Sequence, residues 1–65
     1  MITSPQQLIT EKEAASFLNI STKTLQSWRY RGYGPAYVKF SRKIVYAVGD
    51  LVAFIESQKI TPKSN

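Results

Sequence analysis

The stretch Asn19-Ile20-Ser21-Thr22-Lys23-Thr24-Leu25-Gln26-Ser27-Trp28-Arg29-Tyr30-Arg31-Gly32 decides how this chain is read. It carries a helix stop, a helix start and a second stop in quick succession. Asn19 is the best residue after glycine for the left-handed conformation that ends a helix. Ser21 is a strong N-cap, and Ile20 before it is placed to staple against Leu25 at the fourth helical position. A helix from Thr22 to Tyr30 or Arg31 is therefore predicted, ended by Gly32. At about 100° per residue, Leu25 and Trp28 share one side of it. Lys23, Gln26, Ser27 and Tyr30 lie together on the other.

Upstream, Thr10-Glu11-Lys12-Glu13 reads as a capping box, with Thr10 and Glu13 exchanging side-chain to backbone hydrogen bonds. Ala14, Phe17 and Leu18 recur at i, i+3 and i+4, which predicts a first helix over about residues 11–18. Residues 1–9 form a leading segment without a clear period, in which Leu8 and Ile9 are placed to pack. Two short helices joined by three residues match the helix-turn-helix motif, whose second helix meets the major groove of DNA.

Downstream, Tyr33-Gly34-Pro35 cannot continue a helix. Val38 and Phe40 point one way and Lys39 the other, and Ile44 and Tyr46 share a face. This predicts a β-hairpin over about residues 37–47 with the polar, basic tip Ser41-Arg42-Lys43. Gly49 and Asp50 open a last helix with the apolar stripe Leu51, Phe54 and Ile55, and Thr61-Pro62 ends it. The fold class is thus mostly α with a small β-hairpin: a winged helix-turn-helix with a two-stranded wing and a C-terminal helix. It spans residues 10–60, with residues 61–65 as a flexible tail. Leu25 and Trp28 are assigned to its core with Phe17, Leu18, Phe40, Leu51, Phe54 and Ile55. Trp28→Ala is expected to cost about 3 to 5 kcal/mol.

Length and composition narrow the function. A chain of 65 residues is one small domain, with no room for two lobes around a cleft. It has no Cys and no His, which removes disulfides, thiol and imidazole catalysis and the usual zinc sites. Glu11 and Glu13 are two apart on a helix and do not face each other. Asp50 and Glu56 diverge by roughly 120°. No phosphate loop is present, so an enzyme is not expected, and no cofactor or metal is implied. No run approaches the roughly 18 to 20 apolar residues that cross a bilayer, and no leader is read at the start, so a cytoplasmic protein is expected.

Nine Lys and Arg stand against four Asp and Glu, for a net charge of +5. The excess is local. Residues 21–46 hold Lys23, Arg29, Arg31, Lys39, Arg42 and Lys43 with no acid, interleaved with Trp28, Tyr30, Tyr33, Tyr37 and Tyr46. Such a block points to a polyanionic partner, above all nucleic acid. The competing explanation is that soluble domains simply keep their charge away from zero.

Several segments, taken in order, resemble the MerR-like family of excisionases and AlpA-type regulators. They are Leu8-Ile9-Thr10-Glu11-Lys12-Glu13-Ala14-Ala15, Phe17-Leu18-Asn19-Ile20-Ser21, Thr24-Leu25 with Trp28, and Arg31-Gly32-Tyr33-Gly34-Pro35. Val38-Lys39-Phe40-Ser41-Arg42-Lys43, Asp50-Leu51 and Phe54-Ile55 extend the likeness to about residues 8–56. The resemblance implies a DNA-binding domain of a phage or other mobile element in a prokaryotic cell, associated with the nucleoid. Its members are recombination directionality factors that assist an integrase in excision, or small transcriptional regulators. Double-stranded DNA, an integrase or recombinase, and further copies of the protein on adjacent sites are the implied partners. Three positions depart from the family pattern. Asn19 and Ser41 stand where Gly is frequent, and Val45 where a basic residue is common.

On this reading Gln26 is the foremost base reader, because its amide matches the N6/N7 edge of adenine. Lys23 reaches a guanine edge or a phosphate, Ser27 permits close approach, and Thr22 meets a phosphate at the helix N-terminus. Arg29 and Arg31 flank the stripe where phosphates run, and Tyr30 donates to a phosphate. The alternatives are an ordinary solvated helix face, a salt bridge from the arginines to Glu11, Glu13 or Glu56, and packing of Tyr30 on the hairpin. Lys39, Ser41, Arg42 and Lys43 form a wing over the adjacent minor groove or its phosphates, although edge protection and solubility also select a charged tip. A basic module that docks on an acidic protein is the remaining rival.

Overall fold

The computed structural model describes residues 6–62. Strand β1 (Leu8–Thr10) leads into helix α1 (Glu11–Phe17), and helix α2 (Thr22–Tyr30) follows. Strands β2 (Val38–Phe40) and β3 (Lys43–Ala47) form the wing, and helix α3 (Val48–Gln58) closes the domain. This is a winged helix-turn-helix, with one addition to the expected wing. Its sheet has three antiparallel strands in the order β1-β3-β2. Ile9 lies opposite Tyr46 and is buried between exposed Leu8 and Thr10. The Val48 N–H donates to the Gln7 carbonyl at 3.0 Å, so β1 also satisfies a free donor in the first turn of α3. A three-residue strand is too short to show a period, and so the sequence reads it as a leading segment. Residues 1–5 of that segment and residues 63–65 of the tail lie outside the described residues.

Thr10 ends β1 and caps α1 at once. Its hydroxyl accepts the Glu13 N–H at 3.1 Å, and Glu13 Oε1 accepts the Thr10 N–H at 2.9 Å. The backbone hydrogen bond first, and the Thr10 hydroxyl second, hold the Glu13 carboxyl below its ordinary pKa.

Both recognition-motif helices stop in the same way. Asn19 takes φ 61, the Ile20 N–H reaches the Ala15 carbonyl and the Asn19 N–H the Ser16 carbonyl, both at 3.0 Å. Gly32 takes φ 69, the Tyr33 N–H reaches the Trp28 carbonyl at 2.8 Å and the Gly32 N–H the Arg29 carbonyl at 3.1 Å. Each pattern is a Schellman motif, which satisfies the last carbonyls and turns the chain sharply. Ser21 then caps α2 by accepting the Thr24 N–H at 3.0 Å.

The core is Ile9, Ala14, Ala15, Leu25, Tyr46, Val48 and Leu51, with Leu18, Ile20, Trp28 and Ile44 packed against it. Two residues assigned to the core from sequence are elsewhere. Phe17 is 36% exposed, because α1 buries Ala14 and Ala15 together with Leu18, and Phe17 lies to one side of that arc. Phe40 is 53% exposed, since it sits at the last pair of the wing opposite Lys43. It shares a sheet face with Val38 and Val45, the reverse of the face on which Ile44 and Tyr46 meet the helices. Phe54 and Ile55 are only half-buried.

Trp28, Tyr33 and Phe54 form a second, smaller cluster, with Trp28 edge-on to Tyr33 at 5.2 Å and tilted against Phe54 at 5.7 Å. Gly34 makes room for it. Its φ is +98, and a Cβ there would lie 3.1 Å from Trp28 Cε3. Gly34→Ala therefore combines backbone strain with a tight contact against the indole and should destabilise by roughly 1 to 3 kcal/mol, read from the shift of the thermal or urea midpoint.

Candidate nucleic-acid interface

Helix α2 turns Leu25 into the core, and this fixes its outward face. Lys23, Gln26, Ser27 and Tyr30 are exposed along that face, with Tyr30 80% exposed. Thr22 is half-buried at the first turn, and Arg31, at the C-cap, is exposed. The helix presents the stripe read from sequence as one continuous polar surface.

Arg29 behaves differently from its neighbours. Of the two readings open to it, the salt bridge is present. Its Nε donates to Glu11 Oε2 at 2.9 Å, with both side chains more than four-fifths buried. That hydrogen bond raises the already high pKa of the guanidinium. The guanidinium carbon also lies 4.9 Å from the Tyr30 ring centre and 5.8 Å from that of Tyr37. Tyr37 immediately precedes β2, so Arg29 ties α2 to the root of the wing. The bond to Glu11 uses Nε, which leaves the paired terminal nitrogens for another acceptor.

The wing turns at Ser41-Arg42, between the paired Phe40 and Lys43. Ser41 takes φ 56, so it holds the left-handed conformation for which glycine is favoured. The turn stays tight without a glycine. Lys39 lies on the face of Ile44, while Lys43 lies on the face of Phe40 and Val45. Cations therefore leave the wing on both sides, with Arg42 at its tip. Val45 is 5% exposed between Thr10 and Val38 on the central strand. A basic side chain at this position would have to leave the sheet to reach water.

Among the described residues, the ion pairs are Arg29–Glu11 and Lys59–Glu56. Lys23, Arg31, Lys39, Arg42 and Lys43 have no ion pair among them. No group of His, Cys, Asp or Glu among the described residues is arranged to hold a metal ion. No helix among them is long and apolar enough to cross a membrane.

A family model of helix-turn-helix domains matches residues 8–59. The chain belongs to this helix-turn-helix family. The match spans β1 through the end of α3, so the helix-turn-helix domain and the described fold coincide. No curated protein matches the chain.

Sequence reasoning names Glu11 as one of three acids open to the arginines, but it did not find the wider role of this residue within the helix-turn-helix domain. Glu11 takes Arg29 as its ion-pair partner and also gathers Tyr46 and Gln26. The separations of 15, 18 and 35 residues leave no local signal. Burial, followed by the charge of Glu11, pushes the Tyr46 phenol up from its ordinary 10.0 to about 12. In the unfolded chain the phenol ionises near its ordinary value, so the unfolded state loses this proton first. The resulting stability is complete below pH 10 and is lost as pH rises to about 12. Urea midpoints across this window should fall by more for the native protein than for Tyr46→Phe.

Proposed function

We propose that this domain is a recombination directionality factor: it binds duplex DNA beside an attachment site and assists an integrase in excising a mobile element. Helix α2 lies in the major groove, with Gln26 reading an adenine, Lys23 and Ser27 beside it, and Thr22, Arg29, Tyr30 and Arg31 along the phosphates. The wing places Lys39, Arg42 and Lys43 on the adjacent minor groove, with the Ser41 turn approaching its backbone. The observation that carries this reading is the distribution of the acid-free block over two surfaces, the outer face of α2 and both sides of the wing. Five of its six cations have no acidic partner among the described residues.

One small domain makes few contacts, so useful occupancy calls for several copies on neighbouring sites or for a partner recombinase. Selection from a random duplex pool, followed by footprinting on the enriched sequence, tests the assignment. Closely spaced tandem sites next to a recombinase core support it. A lone site overlapping a promoter assigns the domain to transcriptional regulation instead. On the enriched duplex, Gln26→Ala should relax preference at one base pair, at a cost of about 1 to 3 kcal/mol for the favoured base. Arg42→Ala should weaken all sequences alike and reduce the salt dependence by about one phosphate.

A further inference from the structure

Three side chains converge on the carboxylate of Glu11. Arg29 Nε donates to Oε2 at 2.9 Å and the Tyr46 hydroxyl to the same oxygen at 3.3 Å. Gln26 Nε2 donates to Oε1 at 3.5 Å. Tyr46 is fully buried in the central strand, so the carboxylate is anchored to the core from beneath. Its two other partners stand on α2, one at the edge and one on the outward face.

The chemistry of this arrangement is directional. An ionised carboxylate only accepts, so the Gln26 amide must turn its nitrogen, and not its oxygen, toward Glu11. One N–H is then engaged. The second N–H and the amide oxygen of Gln26 itself remain as an adjacent donor and acceptor, the pair that matches adenine N7 and N6. The amide's rotation about its own axis decides the order in which donor and acceptor meet the base edges, and the contact with Glu11 favours one rotation over the other. The same carboxylate fixes the Arg29 guanidinium through Nε and leaves its terminal nitrogens outward.

We propose that Glu11 is a positioning residue for sequence readout, one acid that sets both the amide of Gln26 and the guanidinium of Arg29. The inference rests on α2 facing the groove. Its test turns on sign. A negative charge beside a phosphate-binding face weakens binding to any duplex, so neutralising it strengthens non-specific binding. A positioning role requires that the same change weaken discrimination.

Affinities of the native protein, Glu11→Gln and Glu11→Asp are measured on the enriched duplex and on one of scrambled sequence, at one salt concentration. Far-ultraviolet dichroism fixes the folded fraction of each. For Glu11→Gln, binding to the scrambled duplex should rise while the ratio of specific to scrambled affinity falls about tenfold. Glu11→Asp keeps the charge and withdraws the carboxylate by one methylene, so its ratio should fall with scrambled binding unchanged. In a Gln26→Ala background, either substitution should leave preference at the adenine position unaltered. An unchanged or higher ratio in Glu11→Gln overturns the inference while leaving groove binding intact. So does an equal loss of adenine preference in the Gln26→Ala background. A native protein that prefers no duplex over another overturns the groove reading itself, and this inference with it.

Discussion

Tyr46→Ala is expected to leave much of the chain unfolded at room temperature. Tyr46 is the largest fully buried side chain, on the strand that has neighbours on both edges. Its ring packs near Tyr37 at 6.1 Å, and its hydroxyl ends on Glu11. Truncating a buried aromatic costs about 3 to 5 kcal/mol. A domain of 65 residues has a total stability of roughly 3 to 10 kcal/mol, so the loss consumes a large share or all of it. From the sequence a cost of this size is expected at Trp28, but Trp28 is half-buried in the smaller aromatic cluster. Trp28 is the single tryptophan and serves as the reporter. Its fluorescence and the far-ultraviolet signal should both show an unfolded baseline in Tyr46→Ala. A cooperative transition within about 1 kcal/mol of the native protein would mean that the sheet does not depend on this residue.

The second large effect is electrostatic. If Lys23, Arg31, Lys39, Arg42 and Lys43 each meet a phosphate, log K should fall against log salt with a slope near −4 to −5. Raising salt from about 50 to about 200 mM then weakens duplex binding by roughly 10²- to 10³-fold. Arg29 contributes less than its charge suggests, because Glu11 already neutralises it locally. A slope near zero would move the partner from nucleic acid to another surface. Weak binding at low salt with a steep slope would instead retain the electrostatic grip and remove the base readout.

The parts of the fold written in local chemistry were legible. Thr10 with Glu13, Asn19, Ser21 and Gly32 each state a helix boundary through one or two hydrogen bonds, and all of these boundaries are present. The outward stripe of α2 followed from the periodicity of Leu25 and Trp28 alone. What lay beyond reach depends on distant partners. Strand β1 exists because β3 offers it a free edge, which three residues cannot announce. Tyr46 reads as one more aromatic in a basic block until the central strand buries it. Phe17 and Phe40 carry the hydrophobicity of core residues, but α1 packs through its alanines and the wing extends past the helices. The sequence left Arg29 three acids to pair with, and only the crossing of α1 over α2 selects Glu11 among them.

On the proposed function, the hydrophilic face of α2 and the wing together form the contact with duplex DNA. Amide chemical-shift changes of the labelled protein, titrated with the enriched duplex, map that contact residue by residue. Shifts should concentrate at Thr22, Lys23, Gln26, Ser27, Tyr30 and Arg31, and at Lys39 through Lys43. Shifts concentrated around Leu18, Ile20, Phe54 and Ile55, with α2 and the wing silent, would contradict it.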